Sequence, residues 1–161
     1  MWLEHNFGGG SNLTNNIIQY NHKSGVFILR AYYNTLNNNT INWNNESGIL
    51  IESAYGQNKI FNNSINFNAL HGVFLNLSSR NSLTYNNITN NSKDGILTYS
   101  SFRDNITNNF IVDNLENGIS IDLGNSHNIE DNLIAYNLEN GILINTSSDY
   151  NNITKNNITN N

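Results

Sequence analysis

Cysteine and proline are both missing from these 161 residues. The first absence excludes a disulfide framework and thiolate metal sites, and leaves the redox compartment open. The second suits a chain made mostly of paired strand, because every proline removes a ladder donor. With one methionine and four separated histidines, His5, His22, His71 and His127, no soft-ligand group for copper assembles, and neither metal nor cofactor is expected. Only seven Lys and Arg stand against twelve Asp and Glu, for a formal charge of −5. The basic residues are not clustered, so there is no footprint for nucleic acid or an anionic membrane surface. No apolar run approaches the ~18 residues of a membrane-spanning helix, and Met1 to His5 lacks the basic and apolar regions of a signal peptide. The glycine-rich start, Phe7 to Ser11, reads as a turn into the first coil; no Lys-Ser/Thr pair or helix follows to make it a phosphate loop.

What is present is periodic. Gly25, Gly48, Gly72, Gly95, Gly118 and Gly141 recur every 23 or 24 residues, each followed by apolar residues such as Gly48-Ile49-Leu50-Ile51. Half a period later comes the phrase aliphatic-x-x-Asn-x-Ile-x-x-Asn. A unit this short cannot bury a hydrophobic face alone, so its copies must stack, and strand-like patterning predicts a β-solenoid of about seven coils. No composition break marks a second domain, so residues 1–161 are read as one domain, a segment of a longer protein.

Aligned coil over coil, the sequence gives four aliphatic columns. They begin at Leu13, Ile18, Val26 and Ile28, and within each short run alternate residues point inward. Two asparagine columns run between them without exception, one from Asn16 to Asn156 and one from Asn21 to Asn161. They account for much of an asparagine content of 40 residues, which in a disordered tract would not keep register. The expectation is stacked amide ladders at bends, with the asparagines taking the left-handed backbone there. The glycines mark corners of positive φ or of close backbone approach.

The phrases Asn-Gly-Ile-Leu-Ile and Asn-Asn-x-Ile-x-x-Asn resemble the right-handed parallel β-helix repeat family, in particular its NosD-like and CASH (carbohydrate-binding and sugar hydrolase) members. The likeness covers about Asn12 to Asn161. It implies an all-β, right-handed, single-stranded parallel β-helix in an extracellular, cell-surface or periplasmic protein concerned with polysaccharide.

Chemistry is sparser. Sugar cleavage needs paired carboxylates or a calcium site with a base. The acidic residues fall in different columns, and only Glu116 and Glu139 are vertical neighbours, above Lys93, as a solvated charge ladder. The paired aspartates of the similar pectin-degrading hydrolases have no counterpart, so no catalytic residue is assigned. Three surfaces remain as candidates. Arg80, Arg103, Asp104 and His127 lie in adjoining columns and are candidates for an anionic sugar; alternatively Asp104 and His127, whose column holds Ser11, Asn34, Asn58, Asn81 and Asn151 in the other coils, occupy ordinary turn positions that hydrogen-bond locally. Tyr20, Trp43 and Phe67 follow one another in a column, offering a stacking platform for sugar rings or packing at a corner. Phe27, Leu50, Phe74, Leu97 and Leu143 fall between inward positions, as an outward stripe for lateral contact with another domain or copy, or are buried by a bend. Eleven Asn-x-Ser/Thr sequons, including Asn12, Asn76, Asn105 and Asn145, are expected at this composition.

The functional expectation is a noncatalytic rod that displays or binds polysaccharide. The alternatives are a segment of a polysaccharide lyase, hydrolase or epimerase, and a NosD-type periplasmic accessory protein for copper-enzyme assembly.

Overall fold

A computed structural model describes residues 1–4 and 10–161. The expected Phe7–Gly9 part of the entry turn and His5 lie outside that range. The chain winds into three parallel seven-stranded sheets, each strand pairing with its equivalent 23 to 25 residues away. Sheet A holds Trp2–Glu4, Val26–Leu29, Ile49–Glu52, Val73–Asn76, Ile96–Tyr99, Ile119–Asp122 and Ile142–Ile144. Sheet B runs from Asn12–Thr14 to Asn152–Thr154, and sheet C from Ile17–Gln19 to Asn157–Thr159. Among the described residues there is no helix.

Register fixes the core. Val73 pairs with Ile49 and Ile96, Leu83 with Ile60 and Ile106, and Ile88 with Ile65 and Ile111, so like residues stack on like. All four aliphatic columns point inward and are fully buried through the middle coils, for instance at Ile51, Leu83, Ile88 and Ile96. β-branched side chains suit this site because each packs flat on its copies along the pleat. Burial fades at Ile144 and Ile158, on the final strands of sheets A and C.

The ladders form, and they do more than stack. The Oδ1 of Asn86 accepts both the backbone N–H and the Nδ2 of Asn63, each at 3.0 Å. Its own Nδ2 donates forward to Asn109 Oδ1 at 3.0 Å and back to the Ile60 carbonyl at 2.9 Å. Every ladder amide therefore closes the bend beneath it and opens onto the next. The second ladder repeats the pattern, as at Asn91 with Asn68, Asn114 and the Ile65 carbonyl.

The backbone differs from expectation at one point. The left-handed residue is not the ladder asparagine but the residue before it: Asn38, Asn62, Tyr85 and Asn108 in one column, Trp43, Phe67 and Asn90 in another. A left-handed residue turns the chain and swings its own side chain out, which leaves the next side chain aimed inward to stack. The repeat glycines, by contrast, have ordinary φ and serve close approach. A Cβ on Gly95 would meet Ile111 Cγ2 at 2.5 Å and the Gly118 carbonyl at 2.7 Å.

Candidate functional site

A third ladder, passed over as an ordinary turn in the sequence, runs through the corner between sheets A and B. Its members are Ser11, Asn34, Asn58, Asn81, Asp104, His127 and Asn151, and the five central ones are buried. Asp104 and His127 stand where asparagine would. The Asp104 Oδ1 accepts the Asn81 backbone N–H at 2.7 Å and its Nδ2 at 3.0 Å, and His127 Nδ1 accepts the Asp104 backbone N–H at 3.2 Å. Gly124 makes room for the ring: a Cβ there would sit 2.7 Å from His127 Nε2.

Both side chains are 0% exposed, and Asp104 Oδ2 and His127 Nε2 have no hydrogen-bond partner. Burial pushes the Asp104 carboxyl up to about 8, against hydrogen bonds from Asn81, and drives His127 down to about 4. No solute reaches this pair. The sequence expectation of a four-residue anion site is therefore corrected: Asp104 and His127 face the core, because their column is the inward one.

Arg80 and Arg103 face the other way. Both are left-handed residues just ahead of Asn81 and Asp104, so the corner that turns those two inward turns the arginines outward. They are exposed on successive coils and line a cleft of about 460 Å³ with Tyr55, Phe102 and Tyr150. Ser79, Asn125 and Ser126 complete it. Of these, only the arginines stood out in the sequence. Tyr55 and Phe102 share one column, two coils apart with Ser79 between them, and Tyr150 belongs to the column of the arginines.

Lys23 pairs with Glu46 at 2.8 Å, Lys93 with Glu116 at 3.2 Å and Lys155 with Glu130 at 2.8 Å. Among the described residues, charge pairing leaves Arg80 and Arg103 without partners, as it does Arg30 and Lys59. Asp104, next in sequence to Arg103, is held neutral below about pH 8 and supplies no counter-charge. Two like charges one coil apart, unneutralised in an acidic chain, cost stability unless a ligand uses them.

The aromatic column is exposed, with Trp43 and Phe67 stacked at 4.5 Å between centroids and 6° between planes. That spacing is the rise of one coil, so the rings stack along the rod and spend facing surfaces on each other. From the side, a sugar would meet ring edges, which is less than the open platform expected. The Phe27, Leu50, Phe74, Leu97 and Leu143 stripe lies half-buried on the outer face of sheet A, with a buried Ser120 interrupting it.

A shorter ladder of reversed direction borders that face. Asn140 Nδ2 donates to Asn117 Oδ1, and Asn117 Nδ2 to Asp94 Oδ1, each at 2.8 Å. Asp94 Oδ2 lies 3.2 Å from His71 Nδ1. Burial opposes ionisation of Asp94, but hydrogen bonds from His71 and Asn117 outweigh it and hold the carboxyl below its usual value. Among the described residues no cluster of three or more His, Cys, Asp or Glu side chains could hold a metal, and no helix is long and apolar enough to cross a membrane.

A family model described as right-handed beta helix region matches residues 4–161, almost the whole chain. The chain belongs to the right-handed β-helix family. Among solved structures, this β-helix is similar to the periplasmic alginate epimerase AlgG, with a TM-score of 0.75 at 17% identity over 90% of this chain and 46% of that one. It is also similar to the A-modules of two Azotobacter vinelandii mannuronan C-5 epimerases. For AlgE6 the TM-score is 0.72 at 16% identity, over 99% of this chain and 56% of that one. For AlgE4 it is 0.71 at 16% identity, over 92% and 53%. The β-helix thus spans about half the length of these structures, and at such identities the likeness is one of fold. No curated protein matches the sequence.

Proposed function

We propose that this β-helix is a noncatalytic rod, acting outside the cytoplasm, that binds an acidic polysaccharide along the corner between sheets A and B. The unpaired Arg80 and Arg103, one above the other in an aromatic-walled cleft, carry the reading. Guanidinium groups bind carboxylates through paired N–H donors, and Tyr55, Phe102 and Tyr150 offer apolar faces to sugar rings. The structural neighbours are epimerases of alginate and mannuronan, which favours a polysaccharide as the ligand class.

The noncatalytic part rests on Asp104 and His127. They are the one acid–base couple adjoining the cleft, and they lie sealed behind it with no exposed surface. The Tyr20, Trp43 and Phe67 corner is assigned an auxiliary contact, limited by the stack to ring edges and the free face of Phe67.

Affinity electrophoresis with a polyuronate and with a neutral polymer of similar length tests the proposal. Arg80→Ala with Arg103→Ala should weaken polyuronate binding at least tenfold, as loss of charge-assisted hydrogen bonds requires. Equal retardation of wild type and double variant would remove the cleft as the site. Appearance of new reducing ends or of epimerised product would replace the noncatalytic reading with an enzymatic one.

A further inference from the structure

One edge of sheet A carries a charge order that is its own complement. The column just ahead of that sheet reads Lys23, Glu46, Leu70, Lys93, Glu116 and Glu139 on six successive coils, and its first five members run plus, minus, neutral, plus, minus. Backbone bonds from Leu70 N–H to the Glu46 carbonyl and from Lys93 N–H to the Leu70 carbonyl, both 3.2 Å, confirm that the column stacks. Turned end for end about Leu70, it sets Lys23 against Glu116 and Glu46 against Lys93, with Leu70 meeting itself. Each charged member of the five then faces its opposite, and Glu139 lies beyond the overlap.

The neighbouring apolar stripe obeys the same operation. About Phe74, in the coil of Leu70, Leu50 exchanges with Leu97 and Phe74 faces its own copy. The short Ser120 falls opposite Phe27, so the break in the stripe meets one of its two phenylalanines. Column and stripe adjoin at the start of the rod, where Lys23, Ser24 and Glu46 border a hollow of about 480 Å³ with Met1, Phe27 and Leu50.

We propose that this face is a two-fold interface with a second, antiparallel copy of the chain, its axis crossing the rod at Leu70 and Phe74. The symmetry requires antiparallel rods. A two-fold axis lying in the contact plane across the rods keeps each column opposite itself while reversing its order, whereas one along the rods would set each column against a different one. The Lys23–Glu46 and Lys93–Glu116 pairs within each copy then join pairs of the other in four-charge clusters over an apolar centre. Five coils by one strand and its flanking turn give about 24 Å by roughly 20 Å. That is on the order of 1,000 Å² over both copies, the lower end for a specific contact. The dimer is accordingly reversible and weakens as salt screens its rim.

Sedimentation velocity on the 161-residue chain, from micromolar to near-millimolar, should show a monomer–dimer equilibrium. Lys23→Glu with Lys93→Glu makes all four charged positions of the overlap negative, and Glu46→Lys with Glu116→Lys makes all four positive. Each double variant should stay monomeric, and their equimolar mixture should recover the dimer. The substituted side chains are at the surface, and thermal melts check that both variants fold. Because the chain has no cysteine, Leu70→Cys gives an independent reading: oxidation should link it to its own copy, while Lys23→Cys should link only when mixed with Glu116→Cys. A wild type monomeric throughout, charge variants that self-associate like wild type, or a wild-type dimer in which Leu70→Cys does not cross-link would each overturn the interface.

Discussion

His127 Nδ1 accepts the backbone N–H of Asp104 at 3.2 Å while lying 3.4 Å from the Asp104 Oδ2. An atom that accepts cannot carry a proton, so the imidazole is neutral with its hydrogen on Nε2. Two lone pairs would then face each other across 3.4 Å unless the carboxyl carries a proton. The couple is a neutral acid beside a neutral base, filling two steps of an amide ladder with side chains that imitate it. The pKa directions agree, upward for Asp104 and downward for His127, both driven first by burial.

Stability should therefore depend on pH in a definite window. Asp104, raised to about 8 in the fold, contributes stability that is complete below its ordinary value near 4 and lost as pH rises through about 8. His127, lowered to about 4, contributes stability that is lost as pH falls from about 6.5 to about 4. Between about 4 and 6.5 the slopes oppose and cancel, which leaves a net loss of about 2 kcal/mol between roughly pH 6.5 and 8. Asp104→Asn restores the amide and should remove that alkaline decline. Melting temperatures from pH 6 to 9 measure it, and parallel curves for variant and wild type would contradict the neutral pair.

Asn86→Leu tests the ladders. The substitution strips acceptors from the Asn63 backbone and side chain, and donors from the Ile60 carbonyl and Asn109 Oδ1. The Asn63 N–H is left without its acceptor, while Asn63 Nδ2 keeps the Leu36 and Phe61 carbonyls and Asn109 Oδ1 keeps the backbone N–H of residue 86, so a loss of about 1–3 kcal/mol is expected despite the added apolar surface. Urea denaturation reads it directly. A midpoint equal to that of wild type would mean that the amides contribute packing alone.

Gly95→Ala probes the close approach. The new methyl would press on backbone, the Gly118 carbonyl at 2.7 Å, as well as on Ile111 Cγ2 at 2.5 Å and Asn114 Nδ2 at 2.9 Å. Carbonyls held in a ladder yield little, so a cost of about 1–3 kcal/mol is expected. An unchanged melt would show that the coils can part locally without penalty.

Much of the fold was legible because the repeat places equivalent residues 23 or 24 positions apart, and stacking demands that each column be uniform in chemistry. The aliphatic columns and both pure asparagine ladders follow from that rule alone. The third ladder does not read as one because Ser11, Asp104 and His127 break its uniformity, although Asp104 and His127 supply an acceptor where asparagine would. The small inward column of Ala31, Ala54, Ser78 and Ser101 was missed for a related reason. Its members share size rather than polarity, and size is a weak signal in a single sequence.

By itself, the sequence determined that this chain stacks upon itself as a β-helix, and which side chains lie above one another. A period of 23 or 24 with one residue class per column admits no other economical burial. Tertiary structure alone decided direction: which member of each bend turns left-handed, and hence that Arg80 and Arg103 look outward while Asp104 and His127 look in. Neighbouring columns differ by one residue along the chain, and a single backbone angle sends them to opposite sides of the wall.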